Sequence, residues 1–138
     1  MISLQGKNLT AGYGGVDIIK NINLQVKQGE IAVIVGPNGA GKSTAMKALL
    51  GMLKLTDGSV SFAKDDITEM LPQDRINLGI AFVPQTQNVF TGMSVEENLE
   101  MGGFIREDNI SLTIEDIYNL FPVLKEKRNQ NAGELSGG

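Results

Sequence analysis

The sequence predicts an α/β fold: an antiparallel β-unit, then an incomplete parallel sheet that forms the core, then a helical subdomain. Three observations lead to this prediction. The chain opens with stretches of alternating apolar residues, continues with two short β-branched runs that have no polar face, and ends with residues at helical spacing. Runs without a polar face are typical of parallel strands that helices cover on both sides.

The antiparallel β-unit is predicted from apolar residues at every second position. Ile2 and Leu4 belong to the first stretch and residues 18–26 to the second, and the segment AGYGGVD between them has turn composition. A turn at Gln28 and Gly29 then leads into the first buried strand, which we expect over residues 31–35.

The middle of the chain is predicted to alternate between helices and strands. Apolar residues at helical spacing indicate a helix over residues 42–53, and GSVSFA indicates a strand over residues 58–63. Pro72 is suited to the first turn of a helix that reaches about Leu78. Gly79 should end that helix before the second buried strand, residues 80–83.

The last third of the chain is predicted to be helical. Ser94 and Glu97 have the spacing of a capping box, which would open a short helix through about Met101. Residues 114–121 form a second amphipathic segment before Pro122. We therefore expect one domain, in which residues 1–85 form the β-subdomain and the core and residues 86–138 form the helical subdomain.

Composition excludes several kinds of site. The chain has no cysteine and no histidine, so a bound metal would have to be a hard cation held by oxygen atoms. Twelve scattered basic residues against sixteen acidic ones make nucleic acid an unexpected partner. The longest apolar run, IAVIV, is far shorter than the roughly 20 residues that span a bilayer, and the chain opens without a basic and apolar leader. We therefore expect a cytoplasmic protein.

A phosphate-binding motif joins the first buried strand to the next helix. The stretch GPNGAGKST fits G-x-x-x-x-G-K-[ST] at Gly36, Gly41, Lys42 and Ser43. Glycines permit positive φ, so successive N–H groups can converge on phosphate oxygens beside the positive end of the helix. Lys42 would add its charge at the β- and γ-phosphates, and Ser43 would offer its hydroxyl to Mg²⁺. The residues expected to contact the nucleotide are Gly36, Asn38, Gly39, Ala40, Gly41, Lys42, Ser43 and Thr44.

The alternative to this site is a glycine-rich turn that binds nothing. The bare pattern arises by chance in about one chain of this length in a hundred. A strand before it and a helix after it are the context that the motif requires. The sequence therefore favours a nucleotide-binding loop.

With this loop in place, the whole chain resembles the nucleotide-binding subunit of ABC transporters, which implies a P-loop NTPase core. Tyr13 in GYGG matches the aromatic residue on which adenine stacks. Gln85 in FVPQ matches the glutamine that reaches Mg²⁺ and the attacking water while sensing the membrane subunit. By this resemblance, Lys42 and Gln85 are catalytic and Ser43 and Gln85 are metal-binding. The final LSGG resembles the signature motif that acts on the γ-phosphate held by a second subunit, and comprises Leu135, Ser136, Gly137 and Gly138.

The resemblance also implies elements that this sequence lacks. The family pattern continues with a helix, a strand ending in an acidic pair, and a histidine that senses the γ-phosphate. We therefore expect the chain to be a portion of a protein of about 230–240 residues. We further expect that residues 31–35 and 80–83 lack the strands that would lie between them, and that this portion alone does not hydrolyse ATP.

The segments MSVEENLEMGGFIR and LFPVLKEKRNQNAGELSGG resemble most closely the subfamily that powers import of branched-chain amino acids. This implies ATP and Mg²⁺ as ligands, a second ATPase subunit that is identical or related, and permease subunits in the membrane. It also implies a position on the inner face of the cell membrane, with Phe90 among the apolar residues of segment 85–103 that contact a membrane subunit. An ATPase of a urea or amide importer and a soluble ABC ATPase without a transport role are the alternatives.

Overall fold

The computed structural model describes residues 2–135. They belong to two compact units, the first comprising residues up to Phe82 and the second the residues from Val83 onward. Each unit is described by itself.

A four-stranded antiparallel sheet organises the first unit. Strands β1 (Ile2–Tyr13), β2 (Val16–Lys27), β3 (Leu55–Phe62) and β4 (Asp65–Asp66) lie in the order β2-β1-β3-β4. β1 and β2 form a hairpin in which Tyr13 pairs with Val16. The predicted antiparallel β-unit is therefore confirmed. The other edge of β1 pairs with β3, a long-range pairing that the sequence did not indicate.

Two helices complete the first unit. Helix α1 (Lys42–Leu49) and helix α2 (Pro72–Asn77) both contribute to the buried interior. Inward-pointing residues alternate along β2 on both sides of a phase change at Lys20 and Asn21, where Asn21 adopts φ 53°. The buried core consists of Leu9, Ala11, Ile19, Ala45, Ala48, Leu49, Leu50, Val60, Ile67 and Ile80.

The prediction of two buried parallel strands is wrong. Residues 31–35 and 80–83 are neither strands nor helices, and Ile31 and Val35 are 93% and 83% exposed. Ile80 alone is buried. A strand needs neighbours to pair with its backbone groups, and in the described part of the chain no strand lies beside either segment. The sheet is consequently antiparallel only.

Smaller corrections concern the bounds of elements. Helix α1 ends at Leu49, before the predicted residue 53, because Gly51 adopts φ 71° and leaves the helical conformation. Strand β3 begins at Leu55, three residues before the predicted start, because Leu55 pairs with Ala11 in β1. The helix predicted from Pro72 is present and ends at Asn77, followed by Gly79 with φ 94°.

The second unit consists of short helices. These are α3 (Val95–Gly102), α4 (Ser111–Leu120) and α5 (Pro122–Glu126), followed by a 3₁₀ helix over Ala132–Glu134. Both reciprocal hydrogen bonds of the predicted capping box are present between Ser94 and Glu97. Helix α4 begins three residues earlier than predicted, where the Asn109 side chain accepts a hydrogen bond from the Ser111 N–H at 2.9 Å. Within residues 2–135, no helix has the length and apolar character needed to cross a membrane.

Candidate phosphate-binding site

The candidate site is the loop of residues 36–44, which leads into helix α1. Gly39 and Gly41 adopt φ values of 83° and 84°, in the left-handed region that glycine enters without steric cost. The Ala40 N–H donates to the Pro37 carbonyl oxygen at 3.2 Å and closes a tight turn. The loop therefore bends back on itself immediately before the helix begins.

The first turn of α1 offers N–H groups to a ligand. The N–H of Ala45 donates to the carbonyl oxygen of Gly41 at 2.8 Å. The N–H groups of Lys42, Ser43 and Thr44 precede this bond and have no intrahelical acceptor. The first turn carries no acidic residue. Three convergent donors at the positive end of a helix form a surface that favours an anion.

Packing fixes the loop against strand β2. A Cβ atom added to Gly41 would lie 2.7 Å from Cγ2 of Ile19, so only glycine can approach the strand this closely. The Thr44 side chain is buried, whereas the Ser43 side chain is exposed. Thr44 can consequently offer only its backbone N–H to a ligand, while Ser43 can also offer its hydroxyl.

Lys42 folds back over the loop. Its Nζ donates hydrogen bonds to the carbonyl oxygens of Gly36 at 2.7 Å and Pro37 at 2.8 Å. An ammonium group has three donors, so one remains for another acceptor. The contacts brace the start of the loop and hold a full positive charge next to it.

Tyr13 lies at the end of β1, in the hairpin with β2, and half of its surface is exposed. The Nζ atom of Lys47 in α1 lies 5.8 Å from the centroid of the Tyr13 ring. The structure thus places this aromatic ring beside the helix that carries the phosphate loop. Its exposed area is available for stacking.

The remaining predicted site residues lie in the second unit or outside the described residues. Gln85 is exposed, in a segment without helix or strand. Leu135 follows the 3₁₀ helix, and the other signature residues, Ser136, Gly137 and Gly138, fall outside the described part of the chain. No group of three or more carboxylates arranged to hold a metal ion occurs within residues 2–135.

Sequence reasoning missed two polar residues that organise these units. Arg75 is 2% exposed, and its guanidinium donates to backbone carbonyls of the first unit. In the second unit, the Asn98 side chain accepts from the Phe90 N–H at 2.7 Å and donates to the Phe90 carbonyl oxygen at 3.0 Å. Isolated Arg and Asn residues in polar helices carry no sequence signal for burial or for loop binding, because exposure is their usual state.

Comparison with known proteins reveals clear relatives. A family model described as ABC transporter matches residues 19–138. A probable branched-chain amino acid transport ATP-binding protein, LivF of Archaeoglobus fulgidus, is 37% identical over 136 residues, which are 98% of this chain and 58% of that protein. A high-affinity branched-chain amino acid transport ATP-binding protein, BraG of Pseudomonas aeruginosa, is 37% identical over 91% of this chain and 54% of its own length.

A solved structure agrees with these sequence matches. MJ1267, an ATP-binding cassette of an ABC transporter, matches with a TM-score of 0.81 at 29% identity, over 99% of this chain and 60% of that one. The chain spans a little over half the length of the curated relatives it matches.

Proposed function

The chain belongs to the ABC transporter family, and from this premise we propose that it is the ATP-binding portion of a transporter ATPase. The observation that supports this most strongly is the loop of residues 36–44. There, three free N–H groups at the start of α1 and the Lys42 ammonium lie on one short, braced segment. Such a segment suits the phosphate groups of a nucleotide.

Each residue of the loop has a proposed role. The N–H groups of Lys42, Ser43 and Thr44 bind phosphate oxygens, and the Lys42 ammonium offers its remaining donor to the β- and γ-phosphates. Since the carbonyls of Gly36 and Pro37 already hold Lys42 over the loop, the nucleotide meets a preformed site. The cost of ordering the loop on binding is correspondingly small.

The donor set fits Mg²⁺ bound together with the nucleotide. Ser43 presents an exposed hydroxyl at the start of α1. Residues 2–135 contain no cluster of carboxylates that could surround a metal ion, so an ion bound here would keep most of its water ligands. Mg²⁺ is typically held by few protein ligands, water and substrate phosphates. We propose that Ser43 supplies one ligand of the ion. When bound, Mg²⁺ would neutralise phosphate charge.

Tyr13 is the proposed platform for the adenine ring. Its exposed ring lies beside α1, and stacking on an aromatic ring is favourable for any nucleobase. We therefore infer that the loop provides most of the affinity, whereas Tyr13 contributes little discrimination between purine nucleotides.

Import of branched-chain amino acids is the transport role that the relatives favour. LivF and BraG, both 37% identical to this chain, are named for transport of these amino acids. On this proposal, the longer protein hydrolyses ATP in a pair of ATPase subunits on the inner face of the cell membrane and drives permease subunits. The signature residues Leu135, Ser136, Gly137 and Gly138 would act on the nucleotide of the second subunit. Phe90, 55% exposed and held at its backbone by Asn98, belongs to the proposed docking surface.

Titration with a fluorescent ATP analogue and Mg²⁺, at low protein concentration, tests nucleotide binding directly. We expect Lys42→Ala to weaken binding by about tenfold or more, because a charge-assisted hydrogen bond contributes about 1.5–3 kcal/mol. Tyr13→Ala should weaken ATP and GTP equally. Lys64→Ala, in the turn between β3 and β4, is the matched control and should leave the affinity unchanged. Equal affinities of Lys42→Ala and the parent chain would refute the assignment of the loop.

A further inference from the structure

Arg75 is a buried cation that the proposed nucleotide site does not use. Its side chain in α2 is 2% exposed, and burial lowers the pKa of its guanidinium. None of the three ion pairs among the described residues includes it. A buried charge without an ionic partner needs hydrogen-bond acceptors in its place.

Backbone carbonyls provide those acceptors. Nε donates to the Met70 oxygen at 3.0 Å, and Nη2 donates to the oxygens of Ile67 at 2.6 Å and Thr68 at 2.9 Å. Nη1 donates to the Leu49 oxygen at 2.7 Å. The guanidinium therefore ties the turn of residues 67–70 to the last residue of helix α1.

The bond to Leu49 completes the C-terminal end of α1. The carbonyl of Met46 accepts from the Leu50 N–H at 3.1 Å, that of Ala48 from Gly51 at 3.1 Å, and that of Lys47 from Met52 at 2.9 Å. The first is an ordinary helical bond, and the last two are the bonds of a Schellman ending. They leave the Leu49 carbonyl without a backbone donor from the same turn, and Arg75 supplies the missing donor.

Gly51 allows the guanidinium of Arg75 to approach the end of helix α1 closely. Its φ of 71° allows the Schellman turn, and a Cβ atom at this position would lie 2.8 Å from Cζ of Arg75. The guanidinium thus packs directly against the backbone where the helix ends. The same glycine is required for the turn and for the approach of the cation.

We propose that Arg75 is a positioning residue for the phosphate loop, and this inference rests on the proposed nucleotide binding. Helix α1 has eight residues, so about 12 Å separates its two ends, and helices this short are not stable alone. Core packing buries Ala45 and Ala48 along the helix, while its N-terminal end packs on Ile19 and its C-terminal end is held by Arg75. The contacts at the two ends set the tilt of the helix axis on the core and therefore the direction of the N–H groups that bind phosphate. The cation also lies at the end of the helix dipole that favours positive charge.

The test compares nucleotide affinity with stability in the same variants of the 138-residue chain. Arg75→Met keeps the apolar stem and removes the donors, Arg75→Lys keeps the charge, and Gly51→Ala displaces the guanidinium without changing it. The control, Phe62→Ala, removes a partly buried side chain at the end of β3, at a position outside helix α1 and outside the residues that accept hydrogen bonds from Arg75. Mg²⁺-ATP affinity is measured at a temperature at which circular dichroism shows every variant to be folded.

We expect Arg75→Met and Gly51→Ala to weaken Mg²⁺-ATP binding by about tenfold. Arg75→Lys should have an affinity between those of the parent chain and Arg75→Met. An effect of this size is typical of residues that act on a site from a distance. Phe62→Ala should lower the urea midpoint and leave the affinity unchanged. If Arg75→Met does not fold, Arg75→Lys and Gly51→Ala decide the matter.

Two results would overturn the inference and leave the proposed function intact. The first is an unchanged Mg²⁺-ATP affinity in the folded Arg75 and Gly51 variants. The second is a loss of affinity in Phe62→Ala as large as theirs when the variants lose the same amount of stability. Failure of the parent chain to bind Mg²⁺-ATP would instead overturn the proposed function and this inference with it.

Discussion

Gly39 and Gly41 have nearly the same backbone conformation but different surroundings. Their φ values are 83° and 84°. A Cβ atom at Gly39 would meet no atom within 4 Å, whereas one at Gly41 would lie 2.7 Å from Ile19 Cγ2. The pair therefore separates the cost of a strained backbone from the cost of a steric clash within one loop.

Alanine substitution at these two glycines should destabilise the chain by different amounts. Gly39→Ala should cost about 1–2 kcal/mol for the left-handed conformation. Gly41→Ala should cost a further 1–3 kcal/mol or so, because Ile19 must move. Urea unfolding measures both free energies. In an Ile19→Ala background the two costs should converge, and equal costs in the parent chain would contradict the packing argument.

Among the elements, helix α3 has the most complete N-terminal cap. The Ser94 Oγ accepts from the Glu97 N–H at 3.1 Å, and Glu97 Oε2 accepts from the Ser94 N–H at 2.7 Å. The backbone and side chain of Ser94 lower the pKa of the Glu97 carboxyl. The cap should therefore depend on pH.

The pH dependence has a definite sign. Because the pKa of Glu97 is lower in the folded state, its contribution to stability is present above the unfolded value of about 4.3 and is lost as the pH falls through the folded value. Glu97→Gln should remove this part of the acid destabilisation in urea unfolding series. Glu96→Gln removes a charge from the same turn, but this variant should still show the acid destabilisation that Glu97 causes. Identical pH profiles for Glu97→Gln and the parent chain would exclude the capping contribution.

The serine of the same cap can be tested at neutral pH. Ser94→Ala removes the acceptor of the Glu97 N–H and should cost about 1 kcal/mol. Ser111→Ala, at the start of α4 where the serine hydroxyl makes no cap hydrogen bond, is the matched control. A cost for Ser111→Ala equal to that of Ser94→Ala would show that the loss is not specific to the cap.

At the scale of the whole molecule, the two apolar segments without secondary structure, residues 31–35 and 80–83, dominate the expected solution behaviour. Residues 31–35 are β-branched or small, and Val33 is 76% exposed. An exposed β-branched segment whose backbone groups have no neighbouring strand can pair with another chain. We therefore expect the 138-residue chain to associate with itself through these segments as its concentration rises.

A lysine in this segment should suppress the association, since charge on an open edge opposes pairing. Size-exclusion chromatography with light scattering should show a lower average mass for Val33→Lys than for the parent chain. Leu112→Lys, on helix α4 and equally exposed at 76%, should leave the mass unchanged because it lies in a helix, outside the two apolar segments. A parent chain that stays monomeric at every concentration would contradict the prediction.

The sequence by itself determined the features that rest on neighbouring residues. The glycine turn before α1, the β1–β2 hairpin and the Ser94 capping box all appear where the pattern predicts them. Each depends on backbone conformation and hydrogen bonds within a short stretch of chain, so the residue types and their spacing are sufficient to specify it. The motif GPNGAGKST likewise depends only on neighbouring residues, and for this reason the family could be recognised from the sequence.

Only the tertiary structure decided the features that need distant partners. Residues 31–35 have the composition of a buried strand, yet strand formation requires hydrogen-bond partners from elsewhere, and the described residues place none beside them. An arginine is usually exposed, but the fold gathers carbonyls from the end of α1 and from residues 67–70 around the guanidinium of Arg75. Burial of this charge is favourable only because long-range packing assembles all its acceptors at one point.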